Sequence, residues 1–211
     1  MRILLQLCCR LMAALPRPVA LAWGRRLGWL LGAVVRHRRG EVRRALQRAF
    51  PERSPAECED LATRMYQHLG LTMAEVARLA VHGPADLAGR FEIVENEALR
   101  QLAARTEGAL LLMGHIGNWE LTSLISTRLA RPLHAVVKPL RPAALQRLVA
   151  ETRGRLGLHL LNHRGDFSGT LRALKRGETV TVILDQNQRR DKGIFVNFNY
   201  CISKITLKYS R

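Results

Sequence analysis

The stretch G-A-L-L-L-M-G-H-I-G-N-W-E, Gly108 to Glu120, carries a change of structure within it. Ala109 to Met113 form a short apolar run bounded by glycines, the length of one buried strand. His115 follows almost at once, and Glu120 lies five positions further on. Helical neighbours meet at offsets of three or four. An offset of five leaves two side chains about 140° apart on a helix turning ~100° per residue. If His115 and Glu120 cooperate, the chain must change structure between them. Gly114 and Gly117 bracket the histidine and allow a tight turn. Asn118 is a good N-cap, and L-T-S-L-I-S-T-R-L-A continues as a helix. The expectation is His115 on a loop after a strand, with Glu120 in the first turn of the next helix. The helix dipole favours a carboxylate there, so Glu120 reads as an ionised acid that orients the imidazole. Free N–H groups of the same turn offer a place for developing negative charge.

Outward from this stretch, short apolar runs alternate with helix-like segments. The runs are F-E-I-V, A-L-L-L-M, H-A-V-V, L-H-L-L and T-V-T-V-I-L. Between them lie patterns such as L-R-Q-L-A-A-R, A-A-L-Q-R-L-V-A-E-T-R and F-S-G-T-L-R-A-L-K-R. This alternation predicts an α/β fold with a mixed, largely parallel sheet flanked by helices. Sites in such sheets form beyond the carboxyl ends of the strands, where both G-H-I-G-N-W-E and the later D-Q-N-Q fall. There is no internal repeat and no low-complexity linker.

The beginning of the chain reads differently. Its first 35 residues are apolar but broken by Gln6, Arg10, Arg25 and Arg26, short of the ~20 unbroken apolar residues of a spanning helix. Leu4, Leu7, Leu11 and Leu15 recur at helical spacing, and Trp23 and Trp29 have basic neighbours. Residues 1–37 are therefore expected to form an amphipathic membrane-associating segment, with a core-packing helix pair as the alternative. A signal peptide fits poorly, because Arg10 splits its apolar region. Residues 38–82 read as a helical region. The basic run R-H-R-R-G-E-V-R-R-A-L-Q-R is a solvated face or a grip for anionic headgroups. Ser54, Pro55 and Glu57 have the pattern of a capping box opening a long helix. Leu61, Met65, Leu69, Met73 and Val76 then recur as an expected core stripe, with both methionines read as packing.

The 211 residues suffice for one domain with a real core, and 47% apolar content argues against disorder. A net charge of +17, from 34 Lys+Arg against 17 Asp+Glu, calls for an anionic partner. Only 5% of residues are aromatic and no nucleic-acid-binding motif is present, which favours a membrane surface over nucleic acid. Cys8, Cys9, Cys58 and Cys201 make no C-x-x-C pair and suggest neither a metal site nor a disulfide framework.

Several motifs together resemble the bacterial lipid A biosynthesis acyltransferases of the lauroyl/myristoyl type, within the lysophospholipid acyltransferase superfamily. In chain order they are R-R-A-L-Q-R-A-F-P-E, Q-H-L-G-L-T-M-A-E, G-A-L-L-L-M-G-H-I-G-N-W-E, L-K-R-G-E-T-V-T-V-I-L-D-Q-N and K-G-I-F-V-N-F, spanning residues from about 10 to 198. The G-H-x-G-N-W-E form is closer to this group than to glycerol-phosphate acyltransferases, which usually show N-H-x4-D. The resemblance implies an enzyme on the cytoplasmic face of a bacterial inner membrane. It would move a fatty acyl chain from a thioester of acyl carrier protein or coenzyme A to a hydroxyl of a glycolipid, with no metal and no cofactor beyond that co-substrate. His115 matches the family's base and Glu120 its acidic partner. Asn118 is a helix cap or a substrate contact. Arg153, Arg155 and Arg164 lie where the family places basic residues near anionic substrate groups, as guanidinium forks suit phosphate. Asp185 follows an apolar strand and is expected at the site rim.

On this resemblance, residues 83–198 form the α/β acyltransferase core and 199–211 a divergent tail. The last eleven residues, C-I-S-K-I-T-L-K-Y-S-R, hold two of the chain's five lysines and no acidic residue. That break in composition leads us to expect a family member cut short or frame-shifted, its core incomplete at the C-terminal end. Two other readings stay open: an acyltransferase acting on another lysolipid, and a non-catalytic basic protein bound to anionic membranes. A nucleic-acid binder ranks below both.

Overall fold

The structure, a computed structural model, describes residues 2–87, 90–162 and 167–185, and backbone strands at 194–198 and 201–205. Helix α1 spans Arg2–Ala14 and α2 Arg17–Trp29, the latter running into a π-helical turn at Leu30–Val34. Helix α3 (Arg39–Ala49) leads to the long α4 (Pro55–His82). The expected capping box is present: the Ser54 hydroxyl accepts from the Glu57 N–H, and the Glu57 carboxylate accepts from the Ser54 N–H at 2.8 Å.

Helix α4 is the spine of this layer, and glycine sets how α2 lies on it. A Cβ at Gly28 would stand 2.1 Å from the Tyr66 carbonyl oxygen, and one at Gly70 2.0 Å from that of Gly24. The backbones are in contact, so only small side chains fit the crossing. The buried face of α4 accordingly includes the small Cys58, Ala62 and Ala74, and the Tyr66 ring fits because it lies against a glycine, Gly32. Met65 and Met73, expected in the core stripe, are exposed instead. Buried Arg78 ties α1 down by donating to the carbonyls of Ala13 and Leu15. Leu4, Leu7, Leu11, Trp23 and Trp29 are exposed, so both helices show an apolar face to the outside. Among the described residues no helix is long and apolar enough to cross a membrane.

The second layer is α/β, as expected. After α5 (Glu97–Ala104) come β1 (Ala109–Met113), β2 (Leu133–Val137), α6 (Ala143–Arg155), β3 (Leu158–Asn162), α7 (Phe167–Lys175) and β4 (Thr179–Ile183). The four strands form one parallel sheet in the order β1-β4-β2-β3. Strand β4 sits centrally and buries Thr179 to Val182, while edge strand β1 leaves Leu110 and Leu112 exposed. F-E-I-V is not a strand: Phe91 to Val94 are irregular and Val94 is exposed, since neither edge of the sheet takes this run. Strands β5 (Ile194–Phe198) and β6 (Cys201–Ile205) pair as a separate antiparallel ribbon.

Candidate active site

The register of β1 on β4 builds the site. Met113 is paired with Ile183, so two residues beyond each strand His115 comes opposite Asp185 at the carboxyl end of the sheet. The contact is doubled. The His115 N–H donates to Asp185 Oδ2 at 2.6 Å, and its ring Nδ1 lies 2.7 Å from Oδ1. An ionised carboxylate only accepts, so the ring proton sits on Nδ1 and Nε2 is left as the acceptor. Among the described residues nothing hydrogen-bonds to Nε2. Gly117 sits at φ +59°, a turn conformation that disfavours any Cβ. A Cβ on Gly114 would come 3.3 Å from Asp185 Oδ2, so a glycine there lets the carboxylate close in.

Glu120 does not meet His115, contrary to the sequence expectation. It is claimed by Arg153 of α6, whose Nε and Nη2 donate to its two oxygens at 2.8 and 2.7 Å. Both side chains are largely buried, at 10% and 18% exposure, and such a bidentate fork holds both groups rigidly. Glu120 is connected to the imidazole at one remove. It accepts from Trp119 Nε1 at 3.1 Å, and the Trp119 ring stands edge-on to His115 with centroids 5.2 Å apart.

The helix after Asn118 forms, but as a 3₁₀-helix, Trp119–Arg128. Its hydroxyls explain the tightening. Ser123 donates to the Glu120 carbonyl and Thr127 to that of Leu124, each three residues back, in competition with the α-helical ladder. Asn118 does cap it, accepting from the Glu120 N–H at 3.2 Å.

A family model described as bacterial lipid A biosynthesis acyltransferase matches residues 3–201. The chain belongs to this family. It is 24% identical to the lipid A biosynthesis palmitoleoyltransferase of Escherichia coli (strain K12) over 87% of its length, covering 60% of that protein. It is 27% identical to the lauroyltransferase of the same strain, over 88% of this chain and 60% of that one. For the myristoyltransferase of that strain the figures are 22%, 86% and 56%. The chain thus spans about three fifths of the length of the relatives it matches.

Not every expected site residue of this family member joins the cluster. Arg155 instead donates to the Ala80 carbonyl in the last turn of α4, at 2.6 Å. Arg164 lies outside the described residues. Two residues not singled out from sequence do join. Asn118 Nδ2 donates to Glu75 Oε2 at 2.8 Å, and Arg17 at the start of α2 donates to the other Glu75 oxygen at 2.7 Å. The site turn is thereby tied to both α4 and α2. Glu75 ends the Q-H-L-G-L-T-M-A-E motif, which was the available signal; nothing local marked Arg17.

Proposed function

We propose that this chain transfers a fatty acyl group from an acyl thioester to a hydroxyl of a lipid A precursor, with His115 as general base. The observation that carries the reading is the doubled His115–Asp185 contact, which fixes the tautomer and leaves Nε2 to take a proton. Nε2 removes the acceptor's hydroxyl proton as that oxygen bonds to the thioester carbonyl carbon. The C–S bond then breaks, and the thiolate leaves with the proton returned by the imidazolium. Asp185 stabilises that imidazolium as the carboxylate of a triad does. The turn N–H groups of Ile116 and Gly117 carry no hydrogen bond among the described residues and are the candidates to meet the oxyanion. Glu120, through Arg153 and Trp119, keeps the imidazole's surroundings in place.

Apolar surface near the site suits an acyl chain: Leu110 and Leu112 share an exposed face of β1, and Ile116 is 85% exposed. The donor is the thioester of acyl carrier protein or coenzyme A, both acidic and therefore matched to a chain of charge +17. The exposed apolar faces of α1 and α2, interspersed with arginine, support attachment to the anionic cytoplasmic face of the inner membrane. The test is acyl transfer by membranes carrying this chain, supplied with labelled acyl carrier protein and a lipid A precursor. His115→Ala should lower the rate by about 10²–10⁴-fold. A variant as active as the parent would remove His115 from the chemistry.

A further inference from the structure

The site turn is short and rich in glycine, yet it is held at both ends. Between Gly114 and Asn118 lie only His115, Ile116 and Gly117, and a stretch with two glycines has much backbone freedom to lose. One pin is the His115 N–H on Asp185 Oδ2 at 2.6 Å. The other is Asn118. Its Oδ1 accepts from the Glu120 N–H at 3.2 Å, and its Nδ2 donates to Glu75 Oε2 at 2.8 Å. These contacts use opposite ends of the amide, so Asn118 fits in one orientation only.

Glu75 is itself anchored. Arg17 Nη2 donates to Oε1 at 2.7 Å, which leaves Oε2 to Asn118, and both charged side chains are partly buried. Pro16 and Pro18 flank Arg17 and stiffen the start of α2. Ala74, the neighbour of Glu75, lies in the α2–α4 crossing: a Cβ on Gly24 would stand 2.7 Å from the Ala74 Cβ. Glu75 and Arg17 thus project from two helices whose backbones touch, and neither can drift without opening that crossing. A partly exposed ion pair adds little stability by itself. What this one fixes is direction.

The two pins bracket the N–H groups of Ile116 and Gly117, the candidates to meet the oxyanion. Such donors must already stand where charge develops, because a turn that had to move would lose their advantage. We propose that Glu75 is a positioning residue for acyl transfer: through Asn118 it holds the turn that carries His115 and the oxyanion donors, and Arg17 holds Glu75. This role rests on the acyl-transfer reading above and deepens it. A group that acts only on transition-state geometry lowers kcat and kcat/KM together and leaves KM almost unchanged.

The experiment measures kcat and KM for the lipid A precursor in membranes carrying the full chain. Hydrogen exchange across residues 114–120 of the purified protein runs in parallel and needs no turnover. Glu75→Ala should lower kcat by roughly 10–10²-fold, the cost of a misplaced reacting group, with little change in KM. It should also speed exchange of the His115 and Glu120 amides by roughly tenfold. Asp60→Ala, which breaks an exposed ion pair with Arg64 on the same helix, should change neither. Asn118→Ala removes the same link, so Glu75→Ala/Asn118→Ala should lose no more than the worse single variant. Glu75→Gln/Arg17→Met keeps an amide oxygen for Asn118 and removes the donor that would face the amide nitrogen, and should recover most of kcat. Losses that multiply in the first double variant, a rise in KM in place of a fall in kcat, or unchanged exchange across the turn would overturn the role of Glu75. His115→Ala in the same assay keeps the two readings apart. If it is as active as the parent, the acyl-transfer mechanism falls; if it is inactive while Glu75→Ala is fully active, only the positioning role falls. If the parent itself shows no turnover, the acyl-transfer reading fails and exchange across the turn decides the Glu75 link alone.

Discussion

Two histidine–carboxylate pairs sit at opposite ends of the same sheet. At the carboxyl end, His115 Nδ1 lies 2.7 Å from Asp185; at the amino end, His134 Nε2 lies 2.8 Å from Glu178, just ahead of β4. Distance does not separate them. Access and sharing do. Asp185 gives both oxygens to His115, whose side chain is 30% exposed. Glu178 is shared with Arg176, which donates to it at 2.8 and 2.7 Å, and the His134 side chain is only 11% exposed. The other ring nitrogen of His134 is buried with no partner among the described residues, so protonating it would leave an unsatisfied N–H. On the proposed reading the first pair exchanges a proton with a substrate; the second is a strut joining β2 to β4.

The sharpest way to break this contrast is to blunt each pair in turn. Asp185→Asn removes the tautomer control and should cost acyl transfer on the order of 10²–10⁴-fold, with little change in thermal stability. His134→Gln should do the reverse, keeping activity while losing about 1–3 kcal/mol in urea unfolding. Equal loss of activity in both variants would sink the distinction.

A smaller effect is expected at the second carboxylate near the site. Glu120→Gln leaves the Arg153 charge buried and unmatched, at a cost of about 3 kcal/mol, while activity falls less than in Asp185→Asn. Adding Arg153→Met should restore part of that stability, because the stranded charge is gone. If the double variant were merely additive, the fork would not be the coupling element.

The smallest effect concerns pH. The Arg176 hydrogen bond, and after it that of His134, holds Glu178 below the usual glutamate range despite desolvation. A depressed folded pKa contributes stability that is complete above the unfolded value, about 4.3, and is lost as pH falls through the folded one. Glu178→Gln should therefore narrow the gap to the parent protein as urea midpoints are followed downward from pH 5. A gap that stayed constant would deny the linkage.

Local pattern carried much of this molecule. The Ser54–Glu57 box, four of the five apolar runs and the strand-turn-helix logic around His115 all follow from interactions within a few residues. Those are the interactions a sequence displays directly. Where a partner is distant, the pattern fails in definite ways. Met65 and Met73 fit a core periodicity, yet the α2–α4 crossing admits only small side chains and turns them outward. F-E-I-V has strand composition but no edge to join.

The site divides along the same line. The sequence by itself determined that a histidine would stand on a turn after a strand, with an acid close behind and Asn118 as the cap. Which carboxylate meets that histidine was decided only by tertiary structure. Pairing β1 with β4 brings Asp185 to it across seventy residues, while α6 carries Arg153 to Glu120. The reason is physical: an imidazole binds whichever acceptor the strand register delivers, and a buried glutamate is held by the guanidinium that neutralises it.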